Sequence, residues 1–206
     1  MLFTYLIFLG AIVQIAGIVS YIRGTLKGTT KPNRVTWLMW AIAPMIAVLA
    51  ALTKGVGWAV VPVFMSGFGP LLVFIASFVN RNSYWKLERF DYVCGVLSVL
   101  ALILWGITKE PLVAIALAIA SDAAAAVPTL RKAWSHPETE RIGPFAGGVF
   151  GALTGFAAIR TWHVAEYGFL IYLVGMNCLL ILFILRHTIF RQGKHPVKKI
   201  ISSIRE

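Results

Sequence analysis

Seven stretches of mostly apolar residues, separated by short segments that carry charges and turn residues, organise this chain. A transmembrane helix needs about 20 consecutive apolar residues. By that measure the pattern predicts seven spans. They lie at residues 2–22, 35–53, 57–79, 92–108, 112–130, 143–160 and 166–185. The sequence therefore predicts an all-α integral membrane protein with seven transmembrane helices.

The composition agrees with this pattern and excludes several classes of protein. Of the 206 residues, 59% are hydrophobic and only 13% are charged, whereas a soluble domain carries about 25% charged residues. An ordinary cytosolic enzyme, a disordered chain and a secreted disulfide scaffold are excluded. The net charge of +11 would, taken alone, suggest a nucleic-acid partner.

The positions of the positive charges give that excess another meaning. All but three of the 19 Lys and Arg residues follow the first, third or fifth span or lie in the tail. The three exceptions are Lys54, Lys109 and Arg160. Basic residues collect on cytoplasmic loops, so we expect a multi-pass protein of the plasma (inner) membrane, with its N-terminus outside and its C-terminus in the cytoplasm. The charge sets orientation, and we expect no nucleic-acid partner.

The C-terminal tail has two interpretations. Val197, Ile200, Ile201 and Ile204 share one face at helical spacing, with basic residues on the other faces. Such a segment is typical of an amphipathic helix that lies on anionic lipid. The alternative is a solvated tail that only enforces the topology.

Seven spans also fit an internal duplication. Three spans, one linking span and three more would place two triplets in the same orientation, which is a known transporter plan. Residues 25–27 (TLK) match residues 129–131 (TLR) at an offset of 104, and Trp58 and Trp162 share that offset.

We divide the chain accordingly. The divisions are a first three-helix repeat at 1–79, a linker helix at 80–110, a second three-helix repeat at 111–186 and a basic tail at 187–206.

The residues at the end of the fifth span resemble a degenerate PQ-loop. Residues 127–134 (VPTLRKAW) and 136–140 (HPETE) are similar to the Pro-Gln pair, basic turn and polar cluster of the PQ-loop/SWEET/PnuC superfamily. Thr129 stands where that superfamily has Gln, and Tyr21 and Ile22 stand where the first repeat would have Pro-Gln. The resemblance implies two three-helix bundles around a central solute pathway.

One acidic residue lies well inside a span. Asp122 is near the middle of the fifth span, after Ser121 and before a run of four alanines that leaves room for a cavity. A charge at the bilayer centre costs about 2.5–3.5 kcal/mol on insertion scales. Burial favours the neutral form of a carboxyl group, which suits a residue that takes and releases a proton. The alternative is a carboxyl group that ties two helices together.

Other polar or aromatic residues inside spans complete the candidate solute site. The superfamily resemblance implies that Asn177, near the middle of the seventh span, lines the pathway. In the first repeat, Ser66 is the nearest polar position. We also expect Gln14 and Trp40 to contribute, since Trp40 lies a turn deeper than an interfacial aromatic belt. The alternative for Asn177 is a purely structural hydrogen bond between helices.

Prolines inside the spans weaken the helices locally. Pro44, Pro70 and Pro128 are candidate hinges, and the alternative for each is a static kink. No span holds a metal-binding Cys/His cluster, a carboxylate pair or a phosphate-binding glycine motif. We therefore expect that the protein is not an enzyme and that it binds no metal and no cofactor.

The leading hypothesis is a transporter or facilitator for a small-molecule solute, with Asp122 as the carrier if a proton is coupled. The alternative is a membrane scaffold or accessory protein that transports nothing. The sequence names no substrate and leaves the oligomeric state open, a homo-oligomer included.

Overall fold

The computed structural model describes residues 2–53, 61–108, 111–156 and 164–192. Over these ranges all the regular secondary structure is helical. The seven helices are α1 (Leu2–Leu26), α2 (Arg34–Thr53), α3 (Val61–Ala76), α4 (Arg89–Ile107), α5 (Pro111–Ser135), α6 (Gly143–Phe156) and α7 (Val164–Gln192). Two short 3-10 helices, Arg81–Ser83 and Pro137–Thr139, precede α4 and α6. Each predicted span coincides with one helix, which confirms the all-α class.

Several helices extend beyond the predicted spans: α1 continues to Leu26 rather than 22 and α7 to Gln192 rather than 185, and α4 and α5 show the reason. Helix α4 begins at Arg89 rather than 92, where the backbone N–H of Glu88 donates to the Asp91 carboxylate at 2.8 Å. Helix α5 continues to Ser135 rather than 130. Hydropathy reports the length of the apolar run, whereas charged residues extend a helix past it.

The outer surface is that of a membrane protein. The described residues include three helical segments long and apolar enough to cross a membrane: Phe8–Leu26, Arg89–Ile107 and Tyr167–Arg186. Helix α4 shows why water does not suit this surface. Its buried face is small or polar, with Asp91, Cys94, Gly95 and Ser98 at helical spacing. Its exposed side carries large apolar residues throughout, so the helix is inverted relative to one in a soluble protein.

The packing order of the helices is specific. Helix α3 contacts both α1 and α2, and α7 contacts both α5 and α6. Helix α1 also packs along α6, and α2 packs against α5, while α4 lies against α5 and α2. The main buried apolar cluster takes residues from every helix except α4. Its members are Ile18, Tyr21, Trp37, Val73, Ala133, Phe145, Leu180 and Ile184.

The segments that follow α1, α3 and α5 meet at one end of the bundle. Lys31 N–H donates to the Thr139 carbonyl at 3.0 Å, and the Asn80 side chain donates to the Leu26 carbonyl at 2.8 Å. We call residues 27–33, 77–88 and 136–142 together the basic end. The predicted alternation of loops between two ends fits this arrangement.

Helices α1 and α6 touch through glycines. A Cβ atom on Gly147 would lie 2.9 Å from the Gln14 Cα, and one on Gly17 would overlap the Gly143 carbonyl. Glycines recur at positions 143, 147, 151 and 155 of α6. Small residues at this spacing let two helix backbones approach closely.

Several predictions fall on residues outside the described ranges. They concern Lys54, Trp58, the turn at 109–110, Arg160, Trp162 and the tail from 193 onward.

Candidate functional site

Asp122 lies at the middle of α5 and is half-buried. The hydroxyl group of Tyr172, on α7, donates a hydrogen bond to its Oδ2 atom at 2.7 Å. In the described part of the chain, no Lys, Arg or His forms an ion pair with this carboxyl group. Asp122 therefore has a hydrogen-bond donor beside it and no compensating charge.

Trp40, on α2, reaches the same carboxyl group. Its indole Nε1 lies beside Asp122, is buried, and makes no geometrically complete hydrogen bond with any described residue. An indole N–H can only donate. Helices α2, α5 and α7 thus converge on one acceptor with two donors, of which one is not fully engaged. The structure brings together two of the predicted residues, Asp122 and Trp40.

Tyr172 was not predicted from the sequence. Its hydroxyl makes it the closest defined partner of Asp122, yet it lies 50 positions away in the chain. A tyrosine inside an otherwise apolar span is a signal, because a buried hydroxyl needs a partner. Nothing in the spacing identifies that partner as Asp122.

An aromatic cluster links this site to the basic end. The ring of Trp37 lies 5.4 Å from that of Trp40 and 4.7 Å from that of Tyr21, measured between centroids. Phe145, on α6, lies 6.4–6.5 Å from both tryptophan rings. The cluster fills the space between α1, α2 and α6 on the basic side of Asp122.

The two predicted amides contact α6. Asn177 donates to the Leu173 carbonyl in its own helix at 2.8 Å, and its amide lies against Gly148. Gln14 lies against Gly147 and Gly151. Both amides are therefore placed where the glycines of α6 allow close approach.

Both predicted serines lie at helix contacts. Ser121 donates to the Ser98 carbonyl at 2.9 Å, and the two hydroxyl oxygens are 3.0 Å apart, so Ser121 faces α4. Ser66 is half-buried on α3, next to Gly67, which packs against Pro44.

The three predicted hinge prolines all lie within helices. Pro44 is in α2, Pro70 in α3 and Pro128 in α5, and the last two are buried. Whether any of them bends during function stays a prediction.

A second polar site occupies the basic end. Lys132 and Glu140 form an ion pair with side-chain exposures of 1% and 0%. The Tyr21 hydroxyl donates to Glu140 Oε2 at 2.7 Å, and Lys132 Nζ donates to the Lys31 carbonyl. Burial lowers the pKa of the Lys132 ammonium group, and the Glu140 carboxylate opposes part of that shift.

The sequence pattern indicates a topology charge and part of the PQ-loop-like basic turn for Lys132, and it does not predict the ion pair with Glu140. The available signal was a carboxylate at 140 inside a basic segment, in a chain with only eight acidic residues. The contact between Glu140 and Tyr21, which lie 119 positions apart, could not be predicted from the sequence.

The described residues contain no group of three or more His, Cys, Asp or Glu side chains arranged to hold a metal ion. No protein-family model, curated protein or solved structure matches the chain. The two polar sites and the helix arrangement are the features that bear on function.

Proposed function

We propose that this protein is a transporter or facilitator for a small solute, with its binding site at Asp122 between two three-helix bundles. The observation that carries the proposal is the convergence of α2, α5 and α7 on a carboxyl group that has no cationic partner among the described residues. An ionisable residue inside a membrane is expensive and marks a functional site by default. Solute sites in transporters lie near the midplane between repeats.

The arrangement of two triplets and a linker has two supports. In each proposed triplet the third helix contacts the first and the second, since α3 contacts α1 and α2 while α7 contacts α5 and α6. Helix α4 contributes nothing to the main apolar cluster, as expected of a linker.

Hydrogen bonds repeat at the offset of 104 as well. The Thr36 hydroxyl donates to the Ala125 carbonyl at 2.7 Å, and the Tyr21 hydroxyl donates to Glu140 at 2.7 Å. At this offset position 36 corresponds to 140 and position 21 corresponds to 125. The contact between 36 and 125 is therefore the counterpart, in the other half, of the contact between 140 and 21. Two related contacts of this kind favour a pseudo-two-fold relation.

The proposed orientation puts the basic end in the cytoplasm. The segments after α1, α3 and α5, which carry most of the positive charge, contact one another at that end. The positive-inside rule then places the opposite end outside.

The chemistry of the site restricts the solute. The Asp122 carboxyl group accepts hydrogen bonds or pairs with a positive charge, whereas the Trp40 N–H donates. A solute with both a donor or cationic group and an acceptor would satisfy both. If a proton is coupled, Asp122 is its carrier.

The test is solute flux into proteoliposomes, measured at a series of external pH values. Sugars, amino acids and vitamins that raise the thermal stability of the purified protein are added one at a time. We expect at least one to dissipate its own gradient through the wild-type protein, and Asp122→Asn to remove the pH dependence of that flux. The matched control is Glu138→Gln, an exposed carboxyl group at the basic end, which should leave the flux unchanged.

The alternative function is a membrane scaffold. The hydrogen bond from Tyr172 favours it, because a carboxyl group that accepts from a neighbouring helix can serve as an interhelical tie. A scaffold dissipates no solute gradient, and Asp122→Asn then lowers only its thermal stability. That pair of results would overturn the transport proposal.

A further inference from the structure

The ion pair between Lys132 and Glu140 lies in the second half of the molecule and hydrogen-bonds to residues of the first half. Both residues belong to the α5–α6 region, but their hydrogen-bond partners outside it come from α1 and the segment after it. The Trp85 ring also lies 5.2 Å from Lys132 Nζ. Tyr21 donates to Glu140 at 2.7 Å, and the Lys31 carbonyl accepts from Lys132. The backbone N–H of Lys31 also donates to the Thr139 carbonyl at 3.0 Å.

The pair closes the basic end of the bundle. Residues toward that end are shielded from solvent, since Tyr21, Trp37, Ala133 and Leu180 are all within 1% of complete burial. Asp122, on the far side of the aromatic cluster, is only half-buried. A path from Asp122 to the basic end would therefore have to pass the aromatic cluster and then this charge pair.

Stability is a poor reason for such a pair. Removing two charges from water is costly, and replacing a buried ion pair by apolar residues of similar volume is often neutral or stabilising. A charged contact and an apolar contact differ in the energy of the open state, in which the two segments have separated. Water then solvates both groups again, so the open state recovers the desolvation cost that the closed state bears. A charged contact therefore keeps the closed and open states closer in free energy than an apolar contact would.

We propose that Lys132, Glu140, Tyr21 and the Lys31 carbonyl form a releasable latch that holds the basic end closed and opens it to water. In the transporter proposed above, on which its physiological meaning rests, the latch is the gate on the basic side. Opening separates residues 29–33 from residues 136–141. Joints of this kind have two discrete arrangements rather than a continuous range.

The experiment measures water access behind the latch and needs no solute. Ala133, which is fully buried and follows Lys132, is replaced by Cys after Cys94 and Cys178 have been changed to Ala. Labelling by a charged maleimide then reports opening. Ala126→Cys, also fully buried on α5, is the second reporter if the first variant does not fold.

Two latch variants should move labelling in opposite directions. Tyr21→Phe removes the hydrogen bond between the halves and leaves the ion pair, so we expect labelling about tenfold faster. The triple variant Tyr21→Phe, Lys132→Met and Glu140→Leu makes the joint apolar. We expect it to label about tenfold more slowly than wild type while its melting temperature stays equal or rises.

The control reporter is Ala152→Cys, a buried position on α6. Its labelling should not respond to the latch variants. Equal acceleration at 133 and 152 in Tyr21→Phe, or no change at 133 in either latch variant, would show that the pair is only structural. If the latch opens but no solute gradient is dissipated, the gate stands and the transport proposal fails.

Discussion

Asp122 and Glu140 are two buried or half-buried carboxyl groups that each accept a tyrosine hydroxyl at 2.7 Å, and they differ in everything else. Glu140 is sealed and paired with Lys132, and its partners come from both halves of the molecule. Asp122 is half-buried and has no basic partner among the described residues. A carboxylate that already has its counter-charge can hold parts together, whereas one without it is available to a proton or a solute.

The largest change in stability is expected when one residue of the buried ion pair is replaced. Glu140→Leu leaves the Lys132 ammonium group buried without its counter-charge, and we expect a loss of about 3–5 kcal/mol in unfolding free energy. Thermal or denaturant unfolding of the purified protein measures it.

The control for this change is the apolar triple variant Tyr21→Phe, Lys132→Met and Glu140→Leu. It should recover most of the lost stability, because no unpaired charge remains. Equal losses in the single and triple variants would mean that packing, rather than charge, dominates at the basic end.

The two tyrosines allow a matched comparison of the sites. Tyr21→Phe removes a hydrogen bond to a paired, fully buried carboxylate, which should cost about 1.5–3 kcal/mol. Tyr172→Phe removes a bond to the half-buried Asp122, which should cost about 1 kcal/mol. A larger loss for Tyr172→Phe in the same unfolding assay would reverse our assignment of the structural site.

Asp122→Asn should separate stability from function. The amide keeps an acceptor for Tyr172, so we expect the unfolding free energy to change by no more than about 1 kcal/mol. The pH dependence of solute flux, in contrast, should disappear. Flux that keeps its pH dependence in this variant would exclude Asp122 as the proton carrier.

The smallest effect is expected at the exposed ion pair of the basic end. Arg131 and Glu88 are 2.9 Å apart, with more than half of each side chain exposed. Glu88→Gln should change the unfolding free energy by less than about 1 kcal/mol, since water and salt screen such pairs. A loss comparable to that of Glu140→Leu would show that burial is not what distinguishes the pairs.

Much of the fold was predictable from hydropathy. The seven apolar runs correspond to seven helices, because a helix satisfies the backbone hydrogen bonds of a long apolar run within the run itself. Asp122 could be singled out from the sequence, since a carboxyl group inside a long apolar run is costly in a membrane and needs either a function or a partner. The end of α5 was not predicted, because the residues after 130 are charged and helical at once.

The partners of the special residues were beyond the sequence. Hydropathy is a property of single positions, whereas a hydrogen bond joins two, and Tyr21 and Tyr172 lie 119 and 50 positions from their acceptors. The glycines of α6 were a readable signal at four-residue spacing, but nothing in the sequence identified α1 as the helix they admit.

The glycine contact between α1 and α6 also bears on how the protein is made. The two helices pack closely although most of the chain separates them. During synthesis α1 precedes α6, so its glycine face has no partner until the second half of the protein has emerged. Contacts between distant parts of a chain form late and leave surfaces uncovered in the meantime. A bulky residue at Gly17, which would overlap the Gly143 carbonyl, should therefore block this late contact and reduce the yield of assembled protein in the membrane.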